Sequence, residues 1–227
     1  YNDEQREQYG DITKIPLTNT GRVRREVKKS CFRKVINPKT HKKHIPYKNL
    51  MDRLTLDVVE YGYAKQAFLG GYTHANARYS KKLLSDVHSI DFTSSYPTVM
   101  MSEKYPMSKG MSITLNMNSY AEFDAFLHIN KCEREAVVMV ELWDIETKPD
   151  IPDDYISNSR LMDPKGEQIM NNNGRVHKAD YVKLIVTSVD LAQIVSCYNY
   201  SKIHIIDGYF YYVDYLPKEI IECVLEF

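Results

Sequence analysis

The stretch EAVVMVELWDI, Glu135–Ile145, constrains this chain most. It is valine-rich and free of Gly and Pro, so its β-branched side chains favour extended backbone and predict a strong strand. A second such run, KIHIIDGYFYYV, predicts a strand with a bend at Gly208. Between them, the residues from Asp153 to Ser188 read as short strands around two turns. Pro164-Lys165-Gly166 and Asn173-Gly174 are the hairpin signals, and a hairpin joins antiparallel neighbours.

Helical patterns interleave with these strands. TSVDLAQIVSCYNY opens with a capping-box-like Thr187…Asp190. Tyr120–Ile129 predicts a helix capped by Ser119, and LPKEIIECVLEF a last helix from Pro217. A helix from Asn49 or Thr55 runs toward Phe68 and ends at Gly70-Gly71. TNTGRVRREVKKSCFRKV predicts a short basic helix with Val23, Val27 and Cys31 on one stripe and a cap at Thr20-Gly21. A strand is expected around Val87–Asp91, followed by a helix capped by Ser94 or Ser95 with Pro97 in its first turn. Strands and helices in alternation, with hairpin signals, give an α+β class.

No stretch approaches the roughly 20 apolar residues of a membrane span. The polar start, YNDEQREQYGD, does not read as a signal peptide. It lacks an initiating Met, so the chain reads as a piece of something longer. Cys31, Cys132, Cys197 and Cys223 form no C-x-x-C pair, which argues against a cysteine-rich zinc site and for reduced thiols in the cytoplasm. His41 and His44 in HKKH have no ligand partner close in sequence and read as a solvated basic turn.

The net charge of zero hides an asymmetry. Lys14 to Lys48 holds twelve Lys/Arg and one acid, Glu26, leaving 18 basic and 29 acidic side chains elsewhere. A basic block on an otherwise acidic chain fits an anionic partner such as nucleic acid. Ile15, Leu17, Val23, Val27, Cys31, Phe32, Val35 and Ile36 give the block apolar anchors, so part of it should fold.

IDFTSSYPTVMM, Ile90–Met101, places a carboxylate where the expected strand hands over to a helix. A strand-end Asp is fixed by packing and suits Mg²⁺, which takes one or two carboxylates plus substrate phosphates. Amides and hydroxyls of Thr93, Ser94 and Ser95 could meet phosphate oxygens, and Tyr96 could lie under a sugar. Many unrelated folds place an Asp and a Ser-capped helix after a strand, so these residues alone leave the chemistry open.

DFTSSYPTVM resembles motif A of family-B DNA polymerases, D-x-x-S-L-Y-P-S: Asp91, Ser94, Tyr96 and Pro97 match, and Ser95 stands where Leu is usual. AFLGGYTHAN is similar to the Y-x-G-G/A motif of the protein-primed phage and plasmid type. Gly70, Gly71 and Thr73 match there, and Phe68 replaces the usual Tyr. IPLTNTGRVRREVKK resembles a segment at the end of the exonuclease domain, and VTSVDLAQIVSCYNYSKIHIIDGYFYY the stretch after motif A.

The resemblance implies an antiparallel-sheet polymerase palm with helices and a β-rich insertion. It divides the chain at 1–48 (end of the exonuclease domain), 49–149 (palm core) and 150–227 (insertion and return to the palm). Asp91 would be catalytic and, with the Phe92 carbonyl, hold Mg²⁺ or Mn²⁺. Ser94, Ser95 and Tyr96 would bind the incoming dNTP, with Tyr96 excluding ribonucleotides. Gly70, Gly71 and Thr73, with Arg22, Arg24, Arg25, Lys28 and Lys29 of the basic block, would contact the DNA primer-template.

The insertion would meet a terminal protein, with Lys165, Arg175, His177 and Lys178 facing phosphate or an acidic partner. Tyr61, Tyr63 and Tyr72 are placed to stack on bases, whereas Tyr209, Tyr211 and Tyr212 should pack within strands. The family also uses a D-T-D carboxylate motif and a K-x-x-x-N-S-x-Y-G helix, and neither occurs in these residues. The expectation is a polymerase segment inactive by itself. The alternatives are a non-catalytic DNA-binding module from a prophage-derived polymerase and an unrelated Mg²⁺-dependent phosphohydrolase. The latter would need Asp86 beside Asp91, which strict strand alternation opposes.

Overall fold

The computed structural model describes residues 19–71, 79, 81–129, 133–162 and 169–225. Ile15, Leu17, Tyr72, Thr73, Cys132, the Pro164-Lys165-Gly166 turn and the Val23 and Cys223 side chains lie outside what is described. The chain forms two compact units, one of Tyr1–Leu54, Phe92–Met107 and Asp214–Phe227, the other of Thr55–Asp91 and Ser108–Val213.

In the first unit, α1 (Asn19–Cys31) packs on α7 (Lys218–Leu225), as does α4 (Ser95–Ser102). Cys31 is buried and in no disulfide, and Val27 is half-buried, so the expected apolar stripe anchors α1. Phe32 and Ile36, by contrast, are exposed rather than core anchors, because α1 ends at Cys31 and the stripe ends with it. NPKTHKKH forms the turn of a small hairpin, β1 (Val35–Ile36) with β2 (Lys43–His44). Its tip is held by the Asn37 side chain, which accepts from the amides of Lys39 and Thr40. The Tyr47 hydroxyl donates to Glu219 of α7, and that hydrogen bond, with partial burial, pushes the phenol up to about 12. The short α2 (Lys48–Arg53) and β3 (Tyr105–Pro106) complete the unit.

The second unit is built on an antiparallel sheet in the order β4-β9-β5-β7-β6. The strands are β4 (Met111–Met117), β5 (Arg134–Thr147), β6 (Ile169–Asn172), β7 (Arg175–Thr187) and β9 (Lys202–Asp214), with β8 (Tyr198–Asn199) pairing the end of β5. The two runs singled out in the sequence are therefore neighbours at its centre, Arg134 opposite Tyr212 and Trp143 opposite Lys202. The register slips between Met139 and Val140, next to Gly208. A Cβ at Gly208 would stand 2.2 Å from the Val137 carbonyl oxygen, so the sheet centre demands glycine there. β6 and β7 are joined through Asn173 (φ 50°) and Gly174 (φ 79°), the two left-handed residues of a type I′ hairpin.

Burial alternates along β5 from Ala136 to Leu142, and then shifts by one at Asp144, whose φ is 51°. The buried set meets Phe123 and Leu127 of α5 (Tyr120–Leu127) and Leu191, Ile194 and Cys197 of α6 (Ser188–Cys197). Thr187 caps α6, its hydroxyl accepting from the Asp190 amide at 3.1 Å as the capping pattern foretold. Phe126 of α5 packs on Phe210, while Tyr63 of α3 (Val58–Ala67) packs on Tyr209. Consecutive strand residues face opposite ways, so α3 and α5 cover opposite faces of the sheet. Tyr209 and Tyr211 are buried as expected; Tyr212 is exposed.

Two expected elements differ. The single helix from Asn49 or Thr55 is two, α2 and α3, because the Asp57 side chain accepts from the amides of Val59 and Glu60 and starts a new helix. No strand forms at Val87–Asp91: residues 81–92 carry no ladder, and Val87 and Ile90 are exposed. A strand exists only where a neighbour satisfies its amides and carbonyls, and this run has none among the described residues. The mixed α+β class itself is observed.

Candidate functional site

Asp91 closes one stretch of the second unit and Phe92 opens one of the first, joined by the peptide bond between them. Asp91 is exposed and lies on no strand, which corrects its expected place at a sheet rim. Phe92 and Tyr96 are 80% and 75% exposed. Ser94 stands at the N-cap of α4 in the left-handed region (φ 54°, ψ 37°), and its side chain makes no capping bond. Ser95, Tyr96 and Pro97 form the first turn. The Ser94 hydroxyl is thus not used to cap the helix as expected, and the α4 N-terminus presents amides that the serine leaves to other acceptors.

Among the described residues, no group of three or more His, Cys, Asp or Glu side chains could hold a metal. His41 and His44 are exposed on the β1–β2 hairpin. Asp86 sits at φ 56° on no strand, so the alternation that set it against Asp91 does not apply.

Gly70 and Gly71 follow α3 and are exposed. A Cβ at Gly70 would meet nothing within 4 Å, so this chain's own packing does not require glycine there. The level of this segment is set by Arg160, whose Nη2 donates to the Ala67 carbonyl at the end of α3 (3.1 Å) and to Asp190 Oδ2 (3.4 Å). The Tyr155 hydroxyl donates to the other Asp190 oxygen at 2.7 Å, and burial followed by that bond pushes the Tyr155 phenol up. Nothing local in the sequence marks Arg160, since its partners lie 93 and 30 residues away.

The basic helix borders an open stretch of surface. Arg25, Lys28 and Lys29 of α1, with Ser30, Phe32, Arg33 and Glu26, line an open cleft of about 730 Å³. Among the described residues the lining holds Arg25, Lys28, Lys29 and Arg33 with Glu26, which is itself 3.7 Å from Lys29. Arg22 and Arg24 are exposed on the same helix but outside this lining. Phe32 and Arg33 were not foreseen in this lining; they follow the end of α1 at Cys31.

The three insertion cations that are described each have a partner within the chain, and Lys178 is exposed together with its partner. Arg175 donates to the Tyr155 carbonyl (2.7 Å), His177 Nδ1 lies 3.0 Å from the buried Asp154, and Lys178 donates to Glu146 (2.8 Å). Tyr63, expected to stack on bases, donates to Asp207 at 2.6 Å and packs edge-on against Tyr209. Tyr61 remains exposed.

No protein-family model matches the chain, and no curated protein matches it in sequence. Solved structures match it in fold. Phi29 DNA polymerase complexed with primer-template DNA and incoming nucleotide substrates aligns at a TM-score of 0.57 and 16% identity, over 77% of this chain and 27% of that one. The same polymerase in a post-translocation binary complex with primer-template DNA gives 0.51 and 15%, over 80% and 31%. Its complex with single-stranded DNA gives 0.51 and 15%, over 77% and 29%. The chain spans less than a third of the polymerase's length and shares the fold of that part.

Proposed function

We propose that this chain is part of a DNA-directed DNA polymerase of the protein-primed family-B type and carries its first metal carboxylate and its nucleotide-binding tyrosine. The observation that carries this reading is the polymerase fold over 77% of the chain, found independently of the motif resemblance in IDFTSSYP. The exposure of Asp91, Phe92, Ser94, Ser95 and Tyr96 supports it.

Asp91 Oδ and the Phe92 carbonyl are hard oxygen donors that fit Mg²⁺ or Mn²⁺ together with substrate phosphates and a further carboxylate. When bound, the metal pair neutralises charge on both the attacking primer 3′ oxygen and the departing pyrophosphate. The residues of the chain then bind and orient. The α4 N-terminus, with Ser94 and Ser95, faces triphosphate oxygens. The Tyr96 ring lies under deoxyribose and rejects a 2′-hydroxyl. Gly70 and Gly71 leave room for a template phosphate, and the α1 cations hold DNA. A terminal protein is a further partner on this reading.

Anisotropy of a labelled primer-template tests the DNA part. Affinity should fall with salt, and the log–log slope should shrink by about one for each α1 cation removed. Complementation tests the chemistry: mixing the chain with a separately expressed polypeptide bearing the D-T-D and lysine motifs should restore primer extension, and Asp91→Ala should remove it. Undiminished extension with the Asp91→Ala chain overturns the assignment.

A further inference from the structure

We infer that Arg160 is a positioning residue for Gly70 and Gly71: it fixes the end of α3, the point from which the two glycines run out. The inference rests on the polymerase reading for what the glycines meet, a template phosphate, and adds the residue that holds them to it. Ala67, the last residue of α3, is buried, whereas Phe68, Gly70 and Gly71 are exposed. The Phe68 amide still donates to the Ala64 carbonyl at 3.0 Å. Beyond it, among the described residues, the amides of Leu69, Gly70 and Gly71 enter no backbone hydrogen bond. A segment without ties of its own takes its position from its anchor. Here the anchor is the Ala67 carbonyl, held by Arg160 Nη2 at 3.1 Å.

The Arg160 side chain is only 8% exposed. Its Nη2 also meets the Ile185 carbonyl and Asp190 Oδ2, each at 3.4 Å. Asp190 is held in turn, its Oδ1 by the Tyr155 hydroxyl and its amide by Thr187 Oγ1. A planar guanidinium presents its nitrogen to these acceptors in a fixed direction; an ammonium on a flexible stem keeps the charge without that direction. Direction matters at a backbone that a ligand approaches. Gly70 has open space around it, and a glycine there lets an outside group come close. A group that meets a ligand must be held to within about 0.5 Å, which takes a supporting residue behind it. Arg160 reaches the glycines only through Ala67, so its effect is on their geometry and adds no charge contact to a phosphate.

The test uses the 227-residue chain, a labelled primer-template and Arg160→Lys, which retains the charge. Arg160→Lys should weaken binding by roughly fivefold or more with an unchanged salt slope, since no phosphate contact is removed. Phe123→Leu, a core truncation on the opposite face of the sheet, reads lost stability alone and should stay within about twofold of native affinity. Gly70→Ala should also weaken binding, and adding Arg160→Lys to it should weaken it no further, because both act on one segment. Native affinity in Arg160→Lys, a salt slope reduced by about one, an equal loss in Phe123→Leu or additive losses with Gly70→Ala each overturn the inference. Amide exchange of the free chain keeps the polymerase reading separate. Faster exchange at Phe68–Gly71 in Arg160→Lys, with a native chain that binds no primer-template, would retain the anchor and remove the polymerase reading.

Discussion

Arg160 and Ala67 are 93 residues apart, yet the guanidinium of the first donates to the carbonyl of the second at 3.1 Å. Ala67 is the last residue of α3, and a cation there satisfies an orphan carbonyl and complements the helix dipole. The same Nη2 reaches the Ile185 carbonyl of β7 and Asp190 in the first turn of α6, so one buried cation ties a helix end, a strand and a helix start. Gly70 and Gly71 leave the helix three residues beyond this tie.

Arg160→Met should therefore destabilise the protein by about 3 kcal/mol, because it strands the Asp190 carboxylate in a buried place. Denaturant unfolding reads the cost. Amide exchange at Phe68–Gly71 should rise more than exchange in β5. An Arg160→Met chain with native exchange at those residues would show that the segment is held by other means.

Gly208→Ala should cost about 3 kcal/mol, since its Cβ would enter the Val137 backbone oxygen and the centre of a sheet cannot step aside. Gly70→Ala, with open space around it, should leave the melting temperature within a degree or two. Equal melting curves for the two variants would contradict the register described for β5 and β9.

Glu60 is 1% exposed, and its Oε1 would lie 2.1 Å from a Cβ at Gly110. Gly110→Ala should be severely destabilising in the native background and markedly less so with Glu60→Ala. A double-mutant cycle should give a coupling above about 1 kcal/mol, as neighbours sharing one space do. Additive effects would place the Glu60 carboxylate elsewhere.

Tyr198 is the hub of the β8 corner: its hydroxyl accepts from the amides of Tyr155 and Ile156 and donates to the Val176 carbonyl. Burial pushes its phenol up to about 12. The unfolded phenol loses its proton near pH 10, so this contribution is whole below pH 10 and is lost as pH rises toward 12. Tyr198→Phe should cost about 2–3 kcal/mol at neutral pH by leaving those groups unpaired. It should also flatten the stability profile between pH 10 and 12; an unchanged alkaline slope would remove Tyr198 from it.

Local signals account for much of the architecture. Valine-rich β5, the Asn173-Gly174 turn, the Thr187 cap and the basic helix each depend on neighbours within a few residues, which is why their residue types alone locate them. The left-handed turn needs Gly174, and the cap needs a hydroxyl three residues before Asp190, whatever the rest of the chain does. The split between α2 and α3 was within reach too, through the capping side chain of Asp57.

The remainder depends on residues distant in sequence. Val87–Asp91 reads as a strand by composition, but an extended run becomes a strand only when another backbone answers its amides, and no residue type states whether one will. Arg175, His177 and Lys178 read as outward-facing charge, and the folded sheet gave each an acceptor, for Lys178 on the exposed surface. Phe32 reads as an anchor, and the end of α1 one residue earlier left it in a cleft of cations. Sequence thus determined the elements, their order and the chemistry available at Asp91 and Tyr96. Tertiary structure decided which charges are paired and with what, because pairing and burial depend on distances that only the folded chain creates.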